Sequence, residues 1–463
     1  MIRLKKDVKL HFIGIGGIGM SALAEILLSL GFQVSGSDLS RSPTTERLQS
    51  LGAQIFIGHQ YQNISGDISA VVYTSAVNQE NPEILAAKEK NIPIMRRAEM
   101  LAEIMRLKCG LAVAGTHGKT TTTSCLATIL QEAGLAPTYI IGGIVRNLGK
   151  HAQVGEGDFL VAETDESDGS FLLLNPVMAV ITNIDRDHMD YYQTEENLLK
   201  AFEEFANRVP FYGVCALNAH DENLMKIQKR MKKPSVTFGL DDGPVFGKVD
   251  YLGKNIKHLK EGTEYELHFQ GELVSKIKIA IYGRHNVLNS LAAIVLAHHA
   301  GLGFPQIAIA IAKFEGVARR LQLIYKKEKL EIFEDYAHHP TAVTTTLKTL
   351  RQMYPDARLL VVFEPHRFTR TKDCWASFLH CFNHADEVYL TPIYPASEPP
   401  IEGISTDRLV SDINQIHPGL CTFLESTEKL KIILQRPPIQ KVIVAVLGAG
   451  SIGRKVRELV LNL

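Results

Sequence analysis

The sequence predicts an α/β protein with three domains, and three observations support that prediction. Its 463 residues are too many for one ordinary hydrophobic core, and typical domain sizes suggest about three domains. Apolar strand-like runs alternate with helical patterns along almost the whole chain, which is typical of α/β layers. Two of these runs enter glycine-rich turns that lead straight into helical patterns, the order found in phosphate-binding units.

Composition excludes several classes of protein. Hydrophobic residues make up 45% and charged residues 22% of the chain, as in ordinary globular domains. Lys and Arg together number 50, as do Asp and Glu, and this balance argues against broad binding to nucleic acid or to an anionic membrane. No apolar run is long enough to span a bilayer. The six cysteines include no CxxC pair, which favours reduced thiols and a cytoplasmic location.

The first predicted domain covers residues 1–107 and is Rossmann-like. A strand over 8–13 is followed by a helix over 20–30, and further strands are predicted at 33–37, 54–57, 70–74 and 93–95, before a helix over 97–106. The turn between the first strand and helix reads GIGGIG from Gly14 to Gly19, and Asp38 ends the next strand. This pattern predicts a pyrophosphate at the helix N-terminus. The loop alone does not distinguish NAD from a UDP-sugar.

The second predicted domain covers residues 108–315 and resembles a P-loop ATPase sheet. Strands at 111–114, 159–163 and 177–182, helices at 121–133 and 286–300, and a small β insert within 245–281 are expected. The segment GTHGKTT from Gly115 follows the first of these strands, so Lys119 should reach the β and γ phosphates and Thr120 should bind Mg²⁺. Val113 stands where the first glycine of the usual P-loop would be, and the loop is therefore shorter.

Two polar segments end later strands of this domain. ETDESD, which begins at Glu163, places a carboxylate where a Mg²⁺ ligand is needed, and its other acidic residues are interpreted as a solvated loop face. DRDHMD, which contains His188, ends the following strand at the same edge of the sheet.

The third predicted domain covers residues 316–463 and is again Rossmann-like, with strands at 359–363, 387–390 and 441–447. His366, Arg367 and Arg370 form a possible grip for a carboxylate, and surface salt-bridging is the alternative. A second GxGxxG match, at 448–453, lies too near the chain end for a dinucleotide fold. We interpret it as a close strand-to-helix turn, with a nearby ligand contact still possible.

Taken together, these motifs resemble the Mur ligase family, which builds the peptide stem of bacterial peptidoglycan. The resemblance is strongest to the branch that adds the first amino acid, and it includes GIGGIGMSALAEIL, GTHGKTTTT, ETDESDGSF, NIDRDHMD, GRHNVLNSLAA, GVARRLQ, DYAHHPT and FEPHRFTRT. It implies a UDP-sugar domain, a central ATPase domain and an amino-acid domain. The implied substrates are UDP-N-acetylmuramate, L-alanine and ATP, and the implied cation is Mg²⁺ at two sites, with Mn²⁺ as a possible substitute.

The resemblance also implies roles for individual residues, as follows. The UDP-sugar would be bound by Gly16, Gly17, Ile18, Gly19, Ser37, Asp38, Thr74 and Ser75. ATP would be bound by Gly115, Thr116, His117, Gly118, Lys119, Thr120, Thr121, Asn286, Arg319 and Asp335. The metal ligands would be Thr120, Glu163 and His188, and L-alanine would contact Tyr336, His338, His366, Arg367 and Arg370. The catalytic residues would be Lys119, Glu163, His188, Arg319 and His338.

The implied reaction makes an acyl phosphate from the muramate carboxylate, which the alanine amine then attacks. His338 could orient that amine or accept its proton. Three alternatives stay open: an NAD-dependent oxidoreductase, a nucleotide-gated binding protein without turnover, and the family's recycling ligase, which attaches a preformed tripeptide. Lys200 is not expected to be carbamylated, and a monomer or a weak homodimer is expected.

Overall fold

The computed structural model describes residues 8–74, 77–259, 261–426, 429–431 and 440–461. The chain divides into two compact units. The first contains residues up to Ile281 together with Asn286–Glu315, and the second contains Tyr282–His285 together with the chain from Gly316 onward.

The first unit begins with a five-stranded parallel sheet in the order β3-β2-β1-β4-β5. Both faces of β1 are buried, since Phe12 and Ile13 are inaccessible to solvent. The strand order reverses between β1 and β4, which is where ligands bind in open α/β sheets. The strands are β1 (Lys9–Ile13), β2 (Gln33–Asp38), β3 (Gln54–Ile57), β4 (Ala70–Tyr73) and β5 (Ile94–Arg96), and the helices are α1 (Ile18–Ser29), α2 (Pro43–Ser50), α3 (Pro82–Glu89) and α4 (Arg97–Met105).

The same unit contains a ten-stranded sheet in the order β15-β14-β13-β12-β11-β10-β6-β9-β7-β8. Its strands are β6 (Cys109–Ala114), β7 (Thr138–Val145), β8 (Lys150–Gln153), β9 (Phe159–Glu163), β10 (Met178–Ile181), β11 (Val214–Asn218), β12 (Ser235–Leu240), β13 (Tyr251–Leu259), β14 (Gly262–Phe269) and β15 (Glu272–Ile279). The helices are α5 (Lys119–Glu132), α6 (Met189–Tyr192), α7 (Glu195–Ala206), α8 (Glu222–Gln228), α9 (Arg284–His299) and α10 (Phe304–Ile311). The first two residues of α9 are assigned to the second unit. The predicted β insert is confirmed as the antiparallel meander β13 to β15, which extends this sheet through β12.

The second unit is built on a six-stranded sheet in the order β16-β17-β21-β18-β19-β20, in which only β16 pairs antiparallel to its neighbour. The strands are β16 (Gln322–Lys327), β17 (Leu330–Asp335), β18 (Arg358–Phe363), β19 (Glu387–Leu390), β20 (Cys421–Phe423) and β21 (Val442–Leu447). The helices are α11 (Pro340–Met353), α12 (Phe368–Asp373), α13 (Trp375–Phe378), α14 (Thr406–Ile416) and α15 (Ile452–Val460).

Sequence patterns located most of the strands but, of the helices, only α1, α4, α5 and α9. Strands β7, β8, β11, β12, β16 and β20 were not predicted. Helices α1 and α5 each begin two residues earlier than expected, because the glycine immediately before each helix is its N-cap. The predicted domain boundaries at 107 and 315 stay predictions. None of the helices in the described part of the chain combines the length and the apolar character that crossing a bilayer requires.

Candidate active site

The loop between β6 and α5 needs its glycines for both conformation and space. Gly115 and Gly118 have φ values of +125° and +84°, which L side chains rarely adopt. A Cβ at Gly115 would lie 2.2 Å from Thr182 Oγ1, and a Cβ at Gly118 would lie 2.3 Å from Asn289 Oδ1. The loop therefore accepts no larger residue at either position.

Hydrogen bonds fix this loop to the segment that follows β10. The backbone N–H of Thr116 donates to Asn183 O (3.0 Å), and that of His117 donates to Asn183 Oδ1 (2.9 Å). His117 Nε2 also lies 2.9 Å from Asp185 Oδ2. The two predicted motifs are thus one assembly at the carboxyl edge of the sheet, where parallel α/β sheets bind ligands.

Lys119 is held by three acceptors. Its Nζ donates to Gly115 O (2.6 Å), Thr116 O (3.1 Å) and Glu166 Oε1 (2.7 Å). Glu166 is only 3% exposed, and its Oε2 has no hydrogen-bond partner. Burial raises the pKa of Glu166 to about 7, although the Lys119 charge opposes that shift. The sequence interpretation missed Glu166, because acidic loops are usually solvated.

Thr120 and Glu163 are in direct contact. The Thr120 hydroxyl donates to Glu163 Oε1 (2.7 Å), and the Gly142 N–H donates to Glu163 Oε2 (2.7 Å). A hydroxyl and a carboxylate beside a phosphate loop are oxygen ligands of the kind Mg²⁺ prefers. These two residues therefore fit the predicted cation site.

The other predicted residues of this assembly lie close to it. His188 adopts φ +56°, and its Nε2 lies 4.0 Å from Glu166 Oε1 and 3.7 Å from Asp187 Oδ2. Asn286 Oδ1 accepts from Asn289 Nδ2 (3.1 Å), and Asn289 packs against Gly118. The side chain of Thr121 is buried in α5.

The glycine loop after β1 contacts Asp38. The Gly16 N–H donates to Asp38 Oδ2 (2.8 Å), and a Cβ at Gly16 would lie 2.8 Å from that oxygen. Gly17 is the N-cap of α1 and supplies no capping side chain, so the first N–H groups of this helix point to the loop. Thr74 follows β4 at the same edge, and its methyl lies 3.5 Å from the Cβ position of Gly14. Ser75 lies outside the described residues, as does the side chain of Ile18.

Ser37 is engaged in a buried network. Its hydroxyl donates to Glu83 Oε2 (2.5 Å) and lies 2.9 Å from His59 Nδ1, while Asn63 donates to the other Glu83 oxygen. Burial alone would raise the pKa of Glu83, but hydrogen bonds from neighbouring side chains outweigh burial and lower it. No local motif points to Glu83, which is distant from Ser37 in sequence.

In the second unit, Arg319 is positioned by the end of β21. Its Nε donates to Glu334 Oε1 (3.1 Å), and its Nη2 donates to Gly448 O (3.1 Å). Its guanidinium carbon lies 4.8 Å from the centre of the Tyr336 ring. Asp335 accepts from the N–H groups of Leu321 and Ala337, and burial raises its pKa.

Three aromatic or imidazole rings and an arginine come together beside Tyr336. The His338 and His366 rings lie 5.9 Å apart, and Arg370 Nη1 lies 3.4 Å from His366 Nδ1. Tyr394, which sequence reasoning missed, stacks on His366 at 5.4 Å with an interplanar angle of 9°. Burial and the Arg370 charge lower the pKa of His338 well below its usual range, and similar causes lower that of His366 to about 4. Both rings are therefore neutral at pH 7, in a cationic environment.

The Arg367 side chain pairs with an acidic residue instead of joining the ring cluster beside Tyr336. It adopts φ +72°, and its Nε donates to Glu398 Oε1. The same carboxylate accepts from the Thr369 N–H (3.0 Å) and hydroxyl (2.8 Å). Arg367 is thus anchored to a glutamate that no motif indicated.

In the turn formed by the second GxGxxG match, backbone N–H groups bind a side chain of the protein itself. Glu364 Oε1 accepts from the N–H groups of Ser451 (2.6 Å) and Ile452 (3.2 Å), and Glu364 Oε2 accepts from the Ser451 hydroxyl (2.9 Å). A Cβ at Gly453 would lie 2.0 Å from Glu334 Oε1. The loop is a close strand-to-helix turn, as predicted, and its N–H groups bind a carboxylate of the protein.

Comparisons with known proteins agree with this architecture. The chain matches the description "Mur ligase family, catalytic domain" over residues 9–108, "Mur ligase middle domain" over 113–297, and "Mur ligase, glutamate ligase domain" over 319–450. It is 46% identical to a UDP-N-acetylmuramate–L-alanine ligase of Geobacter sulfurreducens, with 96% of each chain covered. It is 45% identical to the ligase of the same name from Trichlorobacter lovleyi, with 98% of this chain and 99% of that protein covered.

Solved structures show the same relationship. The crystal structure of UDP-N-acetylmuramate-alanine ligase from Thermotoga maritima is 29% identical, covers 98% of both chains and superposes with a TM-score of 0.79. A murein peptide ligase from Psychrobacter arcticus, at 23% identity and a TM-score of 0.70, shares the fold. With three matching domains and relatives of this identity along its whole length, the chain belongs to the Mur ligase family of ATP-dependent ligases.

Proposed function

We propose that this enzyme joins L-alanine to the carboxylate of UDP-N-acetylmuramate at the expense of ATP, the first step in building the peptide stem of peptidoglycan. The observation that carries the proposal is the contact of Thr120 with Glu163, beside a lysine that is already placed on the phosphate loop. Relatives that align along the whole chain carry the name of this activity.

In the first chemical step, a carboxylate oxygen of the sugar attacks the γ phosphorus of ATP, which yields an acyl phosphate and ADP. Catalysis of such a transfer consists mainly of positioning and charge neutralisation. Lys119 and the loop N–H groups would bind the phosphates, and Mg²⁺ held by Thr120 and Glu163 would neutralise the charge that develops on them. A second cation held by Glu163 and His188 stays a prediction.

In the second step, the amine of L-alanine attacks the acyl carbon, phosphate leaves, and the amine loses a proton. Arg370 beside His366 offers a grip for the alanine carboxylate. Because His338 Nδ1 lies 2.8 Å from Tyr336 O, and a carbonyl only accepts, the neutral ring keeps its lone pair on Nε2. Its lowered pKa makes His338 a weak base. That favours a role in orienting the amine over one in taking its proton.

Phosphate release tests the proposal directly. The enzyme is incubated with ATP, Mg²⁺ and UDP-N-acetylmuramate, with and without L-alanine, and the product is identified by mass. Release that requires both substrates and yields UDP-N-acetylmuramoyl-alanine supports the proposal. Release with a preformed tripeptide, but not with L-alanine, would assign the chain to the recycling branch. If no phosphate is released with any acceptor, a binding protein without turnover would be favoured.

Further properties of the enzyme are also proposed. Lys200 is 66% exposed and pairs with Glu196 (2.8 Å) on α7, which supports the expectation that it is not carbamylated. A cytoplasmic location, a monomer or weak homodimer, and activity with Mn²⁺ are likewise proposed.

A further inference from the structure

An arginine that no motif singled out lies on the first glycine loop. Arg97 is the first residue of α4, and its side chain covers Gly19, in the first turn of α1. A Cβ at Gly19 would lie 3.0 Å from Arg97 Cδ and 3.2 Å from Arg97 Nη1. The guanidinium is therefore beside the helix terminus that the glycine pattern assigns to a diphosphate.

The position of Arg97 is not explained by its own helix. A cation in the first turn of a helix opposes the helix dipole, which favours acidic residues there. Glu99 is the acidic residue of this first turn, and its carboxylate accepts a hydrogen bond from the Arg96 N–H. Arg97 thus adds an unfavourable charge to α4, and this suggests that the charge serves a neighbouring site.

Its ion pair does not explain the position either. Arg97 Nη2 lies 3.7 Å from Asp165 Oδ2, and the two side chains are 31% and 49% exposed. Exposed pairs at such distances contribute little to stability. The pair does show that the guanidinium extends from Gly19 towards the ETDESD segment.

The glycine loop needs a cation if it binds a diphosphate. Asp38 already places a carboxylate on the Gly16 N–H, and a nucleoside diphosphate adds further negative charge at the same loop. A helix terminus offers only about half a positive charge. An arginine offers a full charge and a planar pair of donors suited to phosphate oxygens.

We infer that Arg97 is a binding residue for the diphosphate of the UDP-sugar, and that Asp165 holds its guanidinium when no diphosphate is bound. The inference rests on the proposed function, since it names a further residue of that substrate site. Asp165 follows Glu163 by two residues and precedes Glu166, and those two residues contact Thr120 and Lys119. The cation of the sugar-nucleotide site is therefore held by the segment that also organises the ATP loop.

Calorimetric titration of the intact enzyme with UDP and with uridine tests the inference. Arg97→Ala is expected to weaken UDP binding by roughly 10- to 100-fold, the usual effect of losing a charge-assisted hydrogen bond, and to leave uridine binding unchanged. Arg97→Lys keeps the positive charge but lacks the planar pair of donors, and it should recover part of the affinity for UDP. The matched control is Arg106→Ala, at the other end of α4, where the arginine pairs with exposed Glu103.

The outcomes separate the inference from the proposed function. Equal UDP affinity in Arg97→Ala and Arg106→Ala overturns the inference and leaves the proposed function standing. A loss of uridine binding that matches the loss of UDP binding also overturns it, because Arg97 would then support the fold. Asp165→Asn should bind UDP at least as well as the wild type, and a loss equal to that of Arg97→Ala would assign the pair a structural role. A wild-type enzyme that does not bind UDP contradicts the proposed function itself.

Discussion

Lys119 Nζ lies 2.7 Å from Oε1 of Glu166, a carboxylate that is almost completely buried. The lysine expected to bind phosphates is thus also the counterion of a buried acid. Changing Lys119 alone leaves a buried carboxylate without its cation, whereas changing Glu166 alone leaves Lys119 with two backbone carbonyl acceptors.

Replacing Lys119 should therefore affect stability as well as activity. Lys119→Met is expected to lower the free energy of unfolding by roughly 3 kcal/mol at pH 8. The folded pKa of Glu166 is raised above its unfolded value, so the stability linked to its protonation is present at low pH and is lost as pH rises through about 7. The penalty should accordingly be smaller at pH 5. Adding Glu166→Gln should restore most of the stability but not the activity, as urea unfolding and phosphate release would show. Equal stability of the single variant and the wild type at pH 8 would contradict this account.

The contact between Thr120 and Glu163 predicts a shared cation. Thr120→Val and Glu163→Gln should each lower kcat by roughly 100-fold or more and raise the Mg²⁺ concentration needed for half-maximal activity. Thr123→Val is the matched control, because its hydroxyl donates to the Lys119 carbonyl within the same helix. An unchanged Mg²⁺ requirement in both variants would exclude the site.

Arg319 is predicted to act on ATP during phosphoryl transfer. With all substrates saturating, Arg319→Ala should lower kcat by roughly 100-fold, as expected for a lost charge stabiliser. Arg358→Ala removes an exposed arginine that pairs with Glu387 and should leave kcat unchanged. If kcat of Arg319→Ala equals that of the wild type, the catalytic role is wrong.

The amino-acid site must distinguish substrates that differ by one methyl or one hydroxyl. A methylene is worth only about 1–3 kcal/mol in a pocket. We therefore expect turnover of glycine and L-serine, with kcat/KM lower than for L-alanine by roughly 10- to 200-fold. Complete absence of product at high acceptor concentration would refute this expectation.

His366 predicts a pH dependence of stability. Burial and the charges of Arg370 and Arg367 lower its pKa to about 4. In the unfolded chain the His366 imidazole takes up a proton near pH 6.5, whereas in the folded chain it stays neutral down to about pH 4. The free energy of unfolding therefore falls as pH falls from 6.5 towards 4. His366→Asn should reduce this loss by about 1 kcal/mol once solvent screening is allowed for. A His366 NMR titration midpoint near 6.5 in the wild type would contradict the prediction.

Family and fold were predictable from the sequence because phosphate loops are contiguous. The contacts within GTHGKTT and its pairing with Glu163 follow from strand ends that meet at one sheet edge. Glu166 and Asp165 are neighbours in an acidic run, yet one is buried and the other exposed, and charge patterning does not distinguish them. Glu398, which anchors Arg367, follows β19, whereas Arg367 follows β18, and such pairings depend on tertiary packing. The position of Arg97 could not be predicted for the same reason, because its proximity to Gly19 arises from the packing of α4 on α1.

The Glu364 carboxylate accepts hydrogen bonds from the N–H groups of Ser451 and Ile452. This contact bears on the number of nucleotides that one chain can bind. Three glycine-rich motifs follow strands in the chain, but the N–H groups of the last turn already donate to a carboxylate of the protein. Saturation by nucleotides should therefore reach two molecules per chain, one on each of the first two loops. A third equivalent in a binding isotherm would contradict this count.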